Sequence, residues 1–236
     1  MDCGMDTEPM RRLIGRLFLL VMALAVSPGA MSQSYEALRD SLEAATAMVK
    51  KFPDNTDLRL RKASWNMLLE QWDYAQAEYD FILSRNPRQV AALYYRAYTY
   101  EKQHKYKHAR GDYEAMLKVV PGNFNGQLGL ALLNQKDMHY TEAMDMINRL
   151  VEQYPDSAVA YAARAGMEAE RGLLELAEYD FTEAIRLDPV STDYLISRAD
   201  IRLRKGDKRK AKEDLDNAVK AGVPRPSLSE FYARCR

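Results

Sequence analysis

Small and apolar residues return along this chain every 34 positions. Alanine occupies 63, 97, 131, 165 and 199, and again 75, 109, 143, 177 and 211, with no exception in either series. A bulky series, Tyr79, Tyr113, Ile147, Phe181 and Leu215, keeps the same step. An aliphatic series follows four residues later at Leu83, Leu117, Val151, Ile185 and Val219. Proline closes each period at 53, 87, 121, 155 and 189. A fixed period of this length marks stacked units, each too small to bury its own apolar face. The pattern predicts two helices and a short turn per unit. The alanine positions let helix backbones approach, and the bulky and aliphatic positions fill the space between neighbours. Proline stops the second helix, because the residue before it avoids helical angles.

The ends of the array need covers. Residues 34–51 form an amphipathic stretch ahead of Pro53 in the same phase, so 34–55 is expected as a lone second helix that caps the array. At the other end, 224–236 is expected as a second cap. Ser227 with Glu230 three residues on makes a capping box there, and Leu228, Phe231 and Tyr232 supply the apolar cover. Before both lies a segment with Arg11 and Arg12, the ten apolar residues "LFLLVMALAV", and the small residues Ala30 and Ser32. That order predicts an export signal over 1–32, cleaved after Ser32, with the working chain beginning at Gln33 outside the cytoplasm, periplasmic or secreted in a bacterium. The apolar run is shorter than the roughly 20 residues a membrane span needs.

Taken together, these series resemble a tetratricopeptide-repeat protein. That family places a large residue at repeat position 4, a small one at 8, Ala at 20, a ring at 24 and Pro at 32. Counting from Ala158 puts Ala165 at position 8, Ala177 at 20, Phe181 at 24 and Pro189 at 32. The resemblance covers Thr56 to Val223 as five repeats, 56–89, 90–123, 124–157, 158–191 and 192–223. It implies an all-α protein, a right-handed α-solenoid of helix–turn–helix repeats, that acts as a non-catalytic scaffold or adaptor for a protein or peptide partner. Two positions depart from the family pattern. Position 7, commonly Leu, reads Lys62, Arg96, Leu130, Arg164 and Arg198. Position 15, often Gly, reads Glu70, His104 and Met138 before Gly172 and Gly206 restore it.

Charge and chemistry narrow the function further. Lys plus Arg and Asp plus Glu are both 34, a balance that argues against a nucleic-acid-seeking chain. Two cysteines, Cys3 and Cys235, build neither a disulfide framework nor a Cys-based zinc site. No nucleophile–base pair and no Gly-rich phosphate loop is present, so neither an enzyme, a cofactor nor a small-molecule substrate is expected. His104 and His108 stand four apart, a spacing that meets a metal ion when both lie on one helix. In repeat phase a turn falls between them. An edge formed by His104, His108 and His139, or by the basic segment 198–212 with eight basic and two acidic residues, is the alternative reading, a metal- or polyanion-binding surface. The family's groove-facing positions put Leu60, Tyr94, Tyr98, Leu128 and Leu132 in the partner-binding groove. Such residues suit an extended or helical peptide with apolar anchors. The Lys and Asn clamp with which some relatives hold a C-terminal carboxylate is absent.

Overall fold

A computed structural model describes residues 28–236 of the chain, and residues 1–27 of the expected signal over 1–32 lie outside the described residues. Among the described residues the regular structure is all helix. Helix α1 is Pro28–Lys51, so the expected cleavage point after Ser32 falls within its first turns. Five pairs follow: α2 Thr56–Leu68 with α3 Trp72–Arg85, α4 Val90–Lys102 with α5 Tyr106–Val119, α6 Phe124–Lys136 with α7 Tyr140–Gln153, α8 Ala158–Glu170 with α9 Leu174–Leu187, and α10 Thr192–Arg204 with α11 Lys208–Lys220. A 3-10 turn, Arg225–Leu228, leads into the short α12, Ser229–Arg234. Helix starts recur every 34 residues in both members of the pair, so the sequence period is the structural period.

Local chemistry sets these boundaries. The helices that precede each proline stop two residues short of it, at Lys51, Arg85, Val119, Gln153 and Leu187. Asn86, Val120, Tyr154 and Asp188, each just before a proline, have left the helical region, with φ near −130° and positive ψ. First helices open on side-chain caps in the same phase. Asn55 accepts from the Leu58 amide, Asn123 from Gly126 and Ser157 from Ala160. Between the two helices of a pair, Glu70, His104, Met138, Gly172 and Gly206 all hold φ between +55° and +85°. The turn is the same left-handed one in every repeat, whether or not glycine supplies it.

The chain divides into two compact units after Leu133. In the first, α1 packs on α2, α2 on α3, α3 on α4 and α4 on α5. Its core holds Leu60, Ala63, Ala75, Tyr79, Ile82, Leu83, Ala92, Leu93 and Met116. In the second, consecutive helices from α7 to α12 pack in the same manner. Two clusters fill it, one around Ala165, Ala177 and Phe181, the other around Ala199, Leu215 and Leu228. The alanine series carry the close contacts: all ten alanines are at most 1% exposed. A larger side chain there has no room without moving a helix. Gly129 on α6 marks an equally tight approach, since a Cβ there would lie 2.5 Å from the Tyr113 ring.

Candidate partner-binding face

The five candidate residues lie in the first unit, on the first helices of three pairs. Leu60 on α2 is 5% exposed and belongs to the core. It has little surface to offer a partner, because it is packed with Ala63, Ala75 and Tyr79. Tyr94 and Tyr98, one turn apart on α4, are half-buried, as are Leu128 and Leu132, one turn apart on α6. Each of these four combines packing with accessible surface.

Aromatic neighbours hold the tyrosines in place. Tyr94 meets Tyr95 edge-on at 5.2 Å between ring centroids and Tyr113 at 6.1 Å. Such edge-to-face pairs fix ring orientation beyond simple burial. Tyr113 is 2% exposed, and its hydroxyl donates to Glu101 Oε1 at 2.6 Å. Burial, then the adjacent Glu101 carboxylate, raises the Tyr113 pKa far above its ordinary value, so this phenol stays a donor. Two residues not singled out from the sequence flank Tyr98. Trp72, at the start of α3, meets it edge-on at 6.5 Å, and the Lys102 ammonium lies 5.3 Å from its ring centroid. Trp72 shares repeat position 17 with Tyr106 and Tyr140, so a run of large side chains at that position was the available signal.

Polar side chains organise the pairs as well. Arg96 binds Asp112 through both Nε and Nη2, at 2.7 and 2.6 Å, and reaches Asp80 of the preceding repeat with Nη1. Arg164 repeats this with Asp180 and Asn148, and Arg198 with Asp214 and Thr182. Lys62 and Arg59 both hold Glu78 at the corresponding place in the first repeat. Burial works against the Arg96 charge, but Asp112 and Asp80 more than offset it and raise its pKa. The position 7 departures therefore form a clamp between helices and between repeats. At the C-terminus Tyr232 stands in phase with these cations, and its hydroxyl donates to Asp216 at 2.7 Å.

The alternative site residues have other duties. His104 sits in the left-handed turn ahead of α5, and its Nδ1 shares a hydrogen bond with the Tyr106 hydroxyl at 3.0 Å. His108 lies within α5 with its ring 5.2 Å from Tyr100. In the second unit, His139 is exposed with Nδ1 3.4 Å from Asp137. Among the described residues no group of three His, Cys, Asp or Glu side chains is placed to hold a metal ion. The basic segment is largely neutralised in place. Arg198 and Arg202 bind Asp214, Arg202 and Lys205 bind Glu178, Arg209 binds Glu213 and Lys210 binds Asp207. Arg204 donates to the Ala169 carbonyl. A polyanion would meet guanidinium groups that already hold carboxylates. No described helix is long and apolar enough to cross a membrane.

Known proteins agree with this architecture. Residues 68–125 match one family model described as a tetratricopeptide repeat, and residues 126–157 match a second. A tetratricopeptide-repeat protein from Parabacteroides merdae is 23% identical with a TM-score of 0.74, covering 97% of this chain and 86% of its own. A thermophilic protein of the same kind from Thermus thermophilus is 19% identical with a TM-score of 0.65, over 77% of this chain and 98% of its own. YrrB, described as a TPR protein with an unusual peptide-binding site, is 22% identical with a TM-score of 0.50, over 77% of this chain and 93% of its own. Human mitochondrial import receptor subunit TOM70 is 22% identical over 196 residues, which cover 78% of this chain. They span 31% of TOM70, about a third of that relative's length. Tetratricopeptide repeats are thus recognised over residues 68–157 of this all-α chain, and its helical-repeat fold is shared with these solved structures.

Proposed function

We propose that this protein is a non-catalytic interaction scaffold that captures a protein or peptide on the first-helix face of its first unit. The observation that carries the reading is the set of four half-buried residues, Tyr94, Tyr98, Leu128 and Leu132, one turn apart in pairs on α4 and α6. Trp72 and Lys102 extend this set beside Tyr98. Rigid aromatic rings that expose part of their surface are the usual anchors of such contacts, since little side-chain entropy is lost on binding. Family resemblance supports the class of partner: YrrB is described by a peptide-binding site, and TOM70 by a receptor role. A peptide with apolar or aromatic anchors fits this surface, and an adjacent acidic group would suit Lys102.

Export through the N-terminal segment is part of the same proposal, with the mature chain starting at Gln33. Mass spectrometry of the protein recovered from its host tests it. An N-terminus at Gln33 supports export with cleavage, and an intact N-terminal segment contradicts it. Binding is tested with the chain from Gln33 as bait in extracts of the host, against the double variant Tyr94→Ser, Tyr98→Ser. Partners that the native chain retains and the variant loses support the reading, provided circular dichroism shows equal helix content. Equal retention by both chains contradicts it.

A further inference from the structure

One buried carboxyl in the second unit has no role in the partner-binding face. Glu168 on α8 is 5% exposed, and its Oε2 has no hydrogen-bond partner among the described residues. Asp180 on α9, 1% exposed, acts on Glu168 electrostatically, as expected where the equivalent positions meet in other repeats, Asn134 with Met146 and Arg202 with Asp214. The Arg164 guanidinium is already committed to Asp180 by two hydrogen bonds of 2.6 and 2.9 Å. From α7, Asn148 reaches the Arg164 guanidinium and accepts a hydrogen bond from it. From α10, Arg202 and Lys205 are held by Glu178, Arg202 also by Asp214, and Arg204 is committed to the Ala169 carbonyl. Two buried carboxyls therefore share one guanidinium.

The repeats supply an internal control. Glu168 occupies repeat position 11, which reads Asn66, Tyr100, Asn134, Glu168 and Arg202. In the last repeat Arg202 adds a second cation to Asp214. In the fourth, Glu168 adds a second acid to Asp180. The same site in the fold carries opposite charge, and only the fourth repeat gains an excess of negative charge as it ionises.

We propose that Glu168 is a proton-dependent latch of the α8–α9 pair, closed when the carboxyl is neutral and loosened when it ionises against Asp180. An ionised carboxylate in this place lacks water and lacks a cation of its own, and both deficits oppose folding. Burial first, then Asp180, pushes the Glu168 pKa up to about 7, while Arg164 pulls it back. Because the folded-state pKa lies above that of the unfolded chain, this group's stabilising contribution is full below the ordinary carboxylate range. It is lost as pH rises through about 7. The latch thus tightens the second unit in mildly acidic surroundings.

Hydrogen exchange of the full chain at pH 5 and pH 8, corrected for intrinsic exchange rates, tests this directly. In the native chain the opening equilibrium of α8 and α9 amides is expected to rise at least about tenfold between the two pH values, the size of effect a shift of more than one pH unit produces. Amides of α3 and α4 report the first unit and serve as reference. Glu168→Gln should abolish the rise in α8 and α9. Glu168→Asn, which installs the residue found at this position in the first and third repeats, should do the same. A variant that is less stable at both pH values but has a flat profile still supports the latch, because the claim concerns the slope. A rise that persists in both variants, or its absence in the native chain, overturns it.

Discussion

Single residues carry the fine geometry of this fold, and two of them are sharp tests. Gly129 is the clearest. A Cβ there would sit 2.5 Å from the ring of Tyr113, which is 2% exposed and fixed by Glu101. Gly129→Ala should therefore destabilise the first unit by about 1–3 kcal/mol through overpacking, measured by urea unfolding. Met138 points the other way. It holds φ +63° in an exposed turn where Gly172 and Gly206 stand in later repeats. Met138→Gly relieves left-handed strain, which outweighs the unfolded-state freedom that glycine adds, so a net stabilisation of about 0.5 kcal/mol is expected in the same assay. His104 shows how far this scale was legible. Its spacing to His108 suggested a metal pair, while the repeat phase placed a turn between them. The structure assigns His104 to the left-handed turn position. Leu60 went the other way: family position put it in the groove, and packing with Ala63 and Tyr79 put it in the core.

At the scale of helices and pairs, much was readable because the period is strict. Alanines at two positions, bulky residues at a third and prolines at a fourth report steric demands that no neighbouring context relaxes. The clamp was harder to see. Position 7 looked like a set of departures from Leu, and its meaning appears only when position 23 is read beside it. Lys62, Arg96, Arg164 and Arg198 pair with Glu78, Asp112, Asp180 and Asp214, each 16 residues on. The third repeat, which has Leu130 at position 7, has Met146 at position 23. Charge and its absence thus change together. Asp112→Ala should cost about 2–3 kcal/mol, since it leaves the guanidinium of a half-buried Arg96 with Asp80 alone. The double variant Arg96→Leu, Asp112→Met should recover most of that loss, because a matched apolar pair replaces a buried ion pair at little net cost. Thermal unfolding of the three chains decides it. A double variant no more stable than Asp112→Ala would contradict this account of the clamp.

For the whole molecule, the helical-repeat fold suggests an interaction scaffold, and partner capture on the first-helix face is the proposal built on it. The partner was not legible from sequence for a physical reason. Repeat periodicity records what helices need from one another, whereas a binding face is written in the positions that escape the period. The proposed anchors Tyr94 and Tyr98 are such positions, since the same repeat positions read Leu128 and Leu132 one repeat on and Ala162 and Gly166 in the next. The neighbours that shape the tyrosines, Trp72 and Lys102, come from a different helix and from a later turn. Site-specific photocrosslinking examines this face most directly. A photoreactive residue replaces Tyr98, and in a second chain it replaces Tyr179, which is 62% exposed on α9 of the other unit. Both chains are irradiated in extracts of the host. The account predicts a discrete partner adduct at position 98, displaced by excess native chain and absent at position 179. An adduct at 179 with none at 98 would contradict it.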